Sequence, residues 1–159
     1  MTTSTRLLVF AIGNDLRGDD ALGPVLGERI AALQLEGVRV LPEYQLQVEH
    51  VLDMVEAGAV LFVDAARALG QVFRYEAVVP DCGTPVLSHA LSPSALLGVY
   101  ERINRCPPPP AYVLALDGLN FELDAPLSAG AQHALDQAWA WTKPKLLAGL
   151  PLTRWEAAS

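Results

Sequence analysis

An α/β domain on a mostly parallel sheet is the fold this sequence predicts, and three observations carry it. Residues 6–12 read RLLVFAI and run directly into the glycine-punctuated loop Gly13-Asn14-Asp15-Leu16-Arg17-Gly18-Asp19-Asp20, after which a helix begins. Residues 60–63, VLFV, form a second unbroken apolar run that closes on Asp64. Strands covered by helices on both faces read this way. Only a short stretch then precedes the next strand pattern at 72–79. A parallel crossover needs a dozen residues or more, so that strand is expected to run antiparallel.

The elements follow in order. The first strand spans 6–12. The first helix starts at Asp20 or Ala21 and reaches Leu33, with Pro24 in its first turn, where a missing N–H costs nothing. Its apolar members Leu22, Val25, Leu26, Ile30 and Leu33 keep a helical period, with Arg29 as the one polar member. Residues 38–41 form a short second strand. Residues 48–57 read as a second helix with Val48, Val51, Leu52 and Val55 on one face, ended by Gly58. The third and fourth strands lie at 60–63 and 72–79, and 80–92 is a loop. A third helix covers 93–103, four prolines at 107–110 make a stiff connector, and 111–116 is the fifth strand. After a long loop at 117–127, Ser128 caps a fourth helix that reaches Thr142. Leu135, Ala138 and Trp141 face the core there, with Trp139 to one side. The tail beyond Pro144 has weak periodicity, and Trp155 in it either docks or is free.

Bulk properties narrow the function classes. The chain has 159 residues, 52% of them hydrophobic, a length that suits one domain over 1–159 with a real core. A formal charge of −7, with no run among the 11 basic residues, argues against a nucleic-acid partner, which needs clustered Lys and Arg. The N-terminal MTTSTR is too short and polar for a secretory signal, and no apolar run reaches the ~18–20 residues of a membrane span. The two cysteines, Cys82 and Cys106, lie far apart, so reduced thiols acting as small apolar fillers are expected. The expectation is a soluble, cytoplasmic domain without membrane association, and a monomer.

The chemistry is expected on one rim. In an open α/β sheet, ligands bind outside the carboxyl ends of the strands. Parallel first and third strands put Asp20 and Asp64 on that edge. An antiparallel fourth strand leaves it, so the 13-residue loop at 80–92, with a reach of about 40 Å, has to climb back, carrying His89 near its top. Two carboxylates and one imidazole suit a borderline divalent ion with a position open for water or substrate. Each residue also has a plainer reading. Asp19 or Asp20 serves as a helix N-cap, Asp64 ends a strand and bonds a nearby loop, and His89 is a surface or packed histidine. The metal reading rests on all three meeting. Arg17 either pairs with Asp19 or holds a substrate carbonyl or carboxylate. His50 and Glu49, near the start of the second helix, are expected on a solvated face or lining a substrate groove, and His133 is structural or exposed.

The segments AIGNDLRGDDALGPVLGERI, VLFVDAA, SHALSPSALLGVYERI and LALDGLNFELDAPLSAGAQHAL, in this order over residues 6–142, resemble the nickel–iron hydrogenase maturation endopeptidases. The resemblance implies a three-layer α/β/α sandwich on a five-stranded mixed sheet of order 2-1-3-5-4, with strand four antiparallel. It implies a peptide hydrolase of aspartyl type that removes a C-terminal extension from a hydrogenase large-subunit precursor. It also implies a metal-binding triad at Asp20, Asp64 and His89. Nickel already seated in the precursor would be the ion recognised, so the protein alone is expected to hold the site empty or with another divalent ion. Asp19, Arg17 and Gln45 are possible accessory residues. The chain departs from the family at Asp20, where members often carry glutamate, and at Ala11, where the opening motif usually has glycine. Gln45-Leu46 resembles the branch acting on cytoplasmic multimeric hydrogenases. Two other classes share the acidic constellation: a receiver-type signalling domain binding Mg²⁺, and a non-catalytic nickel chaperone. The first lacks its expected lysine, because Leu116-Asp117-Gly118 stands at the end of strand five.

Overall fold

Strand β1 (Leu7–Ile12) is buried at every position, and its alternate side chains enter two different cores. Leu7 and Val9 join one cluster, and Leu8, Phe10 and Ile12 join the other. A strand with both faces covered is thus the centre of the molecule. In this computed structural model, which describes residues 4–81, 83 and 91–156, β1 pairs in parallel with β2 (Val38–Glu43) and β3 (Val60–Arg67). β3 pairs in parallel with β5 (Ala111–Gly118), and β5 pairs antiparallel with β4 (Phe73–Ala77). The order is β2-β1-β3-β5-β4, as expected, and the short link from β3 to β4 enforces the reversal.

Helices α1 (Leu22–Ala32) and α4 (Ala129–Leu147) cover one face, and α2 (Val51–Met54) and α3 (Pro93–Asn104) cover the other. Their ends follow local chemistry. The Ser92 hydroxyl accepts the Ala95 amide at 3.1 Å, with Pro93 opening α3. The Ser128 hydroxyl accepts the Ala131 amide at 3.1 Å to start α4. α1 lies very close to the sheet at Gly23, where a methyl group would collide with the Ile12 carbonyl oxygen and lie 2.9 Å from that of Val63. Gly23→Ala is expected to destabilise the protein by about 2 kcal/mol through overpacking, measured as a lower midpoint in thermal unfolding.

Several boundaries differ from the sequence reading. The second helix is short: a 3-10 turn at Val48–His50 leads into α2, which ends at Met54. Leu52 and Val55, expected on its buried face, are 76% and 51% exposed. β3 and β5 run beyond their apolar cores to Arg67 and Gly118, so Asp64 sits within a strand, paired with Ala115, and does not end it. α4 continues through Pro144 to Leu147. Lys145 and Leu146 are buried there, and the Lys145 ammonium donates to the Trp141 carbonyl at 2.9 Å. The tail then docks. Trp155 is fully buried and its indole N–H donates to the Leu150 carbonyl at 3.0 Å. Trp141 is only half-buried, wedged between Tyr75 and Trp155 with ring centroids at 5.1 and 5.8 Å. Cys106 is exposed, so it is no core filler: it follows the end of α3. Cys82 lies outside the described residues. No helix among the described residues is long and apolar enough to cross a membrane.

Candidate active site at the carboxyl edge of the sheet

The loop leaving β1 is folded by its own polar side chains. Gly13 adopts φ +144°, a conformation closed to most residues, and a side chain there would meet the Asp20 backbone carbonyl. The Asn14 side-chain oxygen accepts the Leu16 amide at 2.9 Å, and the Asn14 amide donates to Asp20 Oδ2 at 2.7 Å. The Asp20 carboxylate is therefore fastened on one oxygen by its own loop. Its other oxygen has no hydrogen bond among the described residues. The side chain is not an N-cap of α1.

The adjacent Asp19 points the other way and does different work. It is fully buried. Its Oδ1 accepts the Ser128 amide at 2.7 Å, and its Oδ2 accepts the Leu119 and Asn120 amides at 2.7 and 2.9 Å and the Ser128 hydroxyl at 2.7 Å. The Asp19 amide donates back to the Asn120 carbonyl at 2.7 Å. Burial pushes this carboxyl up, but the amides of Asn120, Ser128 and Leu119 and the Ser128 hydroxyl outweigh it and hold the group below its ordinary value. Asp19 thus clamps the β1–α1 loop to the β5–α4 loop. It does not pair with Arg17.

Asp64 is half-buried in β3. Its Oδ1 accepts the amide of its neighbour Ala65 at 2.8 Å. Burial pushes its carboxyl up to about 7; the Ala65 amide opposes the rise and the charge on Asp20 adds to it. Asp20 and Asp64 line two adjoining clefts. One, of about 390 Å³, is bounded by Arg17, Ala65, Arg67 and Phe121. The other, of about 370 Å³, is bounded by Ile12, Gly13, Tyr44, Gln45, Leu46 and the segment Leu91, Ser92 and Pro93. The two acids form the ridge between them. Leu91 is held there by an antiparallel bridge to Leu46, its amide donating to the Leu46 carbonyl at 3.0 Å.

His89 lies outside the described residues, so its place beside the acids is not seen. Among the described residues, no three His, Cys, Asp or Glu side chains gather as a metal site. The acid pair itself suits a divalent cation. Each carboxylate is oriented by one backbone amide with an oxygen to spare, and the raised Asp64 reflects desolvated negative charges that a cation would relieve. Gln45 lines the second cleft and is exposed. His50 is neither solvated nor in a groove. It is buried against Phe10 with ring centroids at 5.4 Å, its Nδ1 accepts the Gln47 amide at 2.8 Å, and its Nε2 lies 3.4 Å from Glu43. Glu49 and His133 are exposed. Arg67 and Phe121, on the wall of the first cleft, carried no signal in the sequence. They meet only because β3 and β5 are neighbours.

No protein-family model matches the sequence, and no curated protein matches it. Solved structures do. The chain is similar to the NiFe hydrogenase maturation protease HycI of Thermococcus kodakarensis KOD1, at 22% identity over 86% of this chain and 89% of that one, with a TM-score of 0.63. It is similar to the hydrogenase maturating endopeptidase HybD of E. coli, at 19% identity over 88% and 93%, with a TM-score of 0.64. It is also similar to a hydrogenase 2 maturation peptidase of a Thaumarchaeota archaeon, at 19% identity over 89% and 97%, with a TM-score of 0.63. The chain shares the fold of the hydrogenase maturation proteases across most of its length.

Proposed function

We propose that this protein is an endopeptidase of hydrogenase maturation. It would remove the C-terminal extension of a nickel-loaded large-subunit precursor, acting as one domain over residues 1–159. The observation that carries the reading is the ridge formed by Asp20 and Asp64, reached by separate strands and exposed to a cleft on either side. An extended segment passing from one cleft to the other crosses both carboxylates. The shared fold supports the assignment. His89 completes the ligand set in this reading: it stands two residues before Leu91, which borders the same cleft as the acids, and two residues span about 7 Å.

Nickel enters as part of the substrate, where it polarises the scissile carbonyl and acidifies a water. The chain's own residues do the rest. Asp20, fixed by the Asn14 amide, contributes an oxygen to the incoming ion. Asp64, fixed by the Ala65 amide and titrating near neutrality, anchors the ion or serves as general base. As base, it takes a proton while the water oxygen bonds to the carbonyl carbon, and returns it to the leaving nitrogen as the C–N bond breaks. A receiver-type signalling role is disfavoured by the sheet: receivers use the order 2-1-3-4-5, whereas β4 here is an antiparallel edge strand beside β5.

The test is incubation with a nickel-loaded large-subunit precursor and mass measurement of the product. A shortened precursor is expected with the wild type and an intact one with Asp20→Asn or His89→Ala. A precursor bound but never cleaved would leave a nickel chaperone. Normal processing by both variants would remove the metal triad.

A further inference from the structure

We infer that Arg67, with Arg17, is the binding site for a carboxylate of the substrate segment. This rests on the endopeptidase reading and adds a specificity element to it. Arg67 is paired in register with Gly118 on the neighbouring strand. Gly118 has no side chain, so the Phe121 ring folds back over it; a Cβ there would lie 2.7 Å from the ring edge. The loop carrying Phe121 is fixed by the Asp19 bonds to Leu119 and Asn120. The Arg67 guanidinium lies over that ring, 4.0 Å from its centroid. Stacking of this kind holds the plane of the group and leaves its N–H edge available for bidentate binding.

That edge has no carboxylate in ion-pair range among the described residues, and neither has Arg17, although 18 acidic residues face 11 basic ones in the chain. Arg29, Arg39 and Arg74 do have acidic partners. The guanidinium groups of Arg17 and Arg67 border the same cleft as Asp20 and Asp64, yet neither pairs with those acids. The cleft therefore offers two separate poles. A ligand complementary to it brings positive charge to the acids and negative charge to the arginines. A planar carboxylate matches the fork of a stacked arginine in geometry and charge. It comes either from an acidic side chain beside the scissile bond or from the carboxyl terminus of the extension.

The experiment measures cleavage of the nickel-loaded precursor by the full-length wild type, Arg67→Gln and Arg67→Lys. For Arg67→Gln, KM is expected to rise about tenfold or more, with kcat within about twofold. Arg67→Lys keeps the charge and loses the fork, so it restores only part of the binding. Precursors with single acidic residues near the cut changed to amides, and one whose extension ends in a carboxamide, are compared with both enzymes. One of these is expected to weaken binding to the wild type and to have no further effect on Arg67→Gln, which names the source of the carboxylate. An unchanged KM in Arg67→Gln, or additive effects for every substrate variant, overturns the inference while cleavage itself still stands. No cleavage by the wild type overturns the endopeptidase reading, and this inference with it.

Discussion

Asp64→Asn is expected to stop precursor processing while making the metal-free protein more resistant to unfolding at pH 8. Loss of a general base or anchoring carboxylate costs on the order of 10²–10⁴-fold in rate, and the asparagine keeps the Oδ1 that accepts the Ala65 amide. The stability effect follows from the sign of the shift. The carboxyl titrates near 3.8 when unfolded and near 7 when folded. Between those values the folded state holds a proton that the unfolded state has released, so stability falls as pH rises through this window. The variant has no such group and escapes the loss. Melting temperatures of the two proteins should be similar at pH 4 and diverge in favour of Asp64→Asn by pH 8. An NMR titration of the wild type should place the Asp64 carboxyl near 7. Equal melting curves at pH 8, or processing at wild-type rate, would remove Asp64 from the role given to it.

Asp19→Ala is expected to cause the largest loss of stability. It leaves the amides of Leu119, Asn120 and Ser128 without the buried carboxylate that accepts them, a cost on the order of 4 kcal/mol against a typical total of about 5–15 kcal/mol. Urea unfolding followed by far-UV circular dichroism measures it, and coincident midpoints would contradict the clamp. The pH dependence has the opposite sign to that of Asp64. The folded carboxyl is held below its unfolded value of 3.8, so its stabilisation is present above that pH and disappears as pH falls through the lower folded value. The gap between wild type and Asp19→Asn should therefore close in acid.

These two aspartates mark how far the sequence was readable. The strands were legible because both faces of β1 and β3 are covered, and Leu7 to Ile12 and Val60 to Val63 announce that as unbroken apolar runs. The antiparallel β4 was legible from linker length alone. The edge position of Asp20 and Asp64 then followed from topology. The separation of Asp19 from Asp20 was not legible. Adjacent identical side chains diverge here because one meets backbone donors some hundred residues away in sequence. His50 was misread for the same reason, since Phe10 and Glu43, which enclose it, come from β1 and β2. Apolar spacing misled at the second helix: Leu52 and Val55 keep the period and yet face outward, because the chain must turn at Ala57 to enter β3. The fourth helix was expected to reach only Thr142, but residues beyond Pro144 supply a buried surface that helical propensity does not encode.

The docked tail closes the amino edge of the sheet, where Leu150 and Leu152 lie beside Leu7, Ala59 and Pro110, and the acids stand at the opposite edge. Trp155 is sealed against Tyr75 and Trp141 at that far end. The protein thus carries its own optical gauge: indole emission should register collapse of the whole molecule yet stay constant while the acids at the other pole are titrated, mutated or occupied.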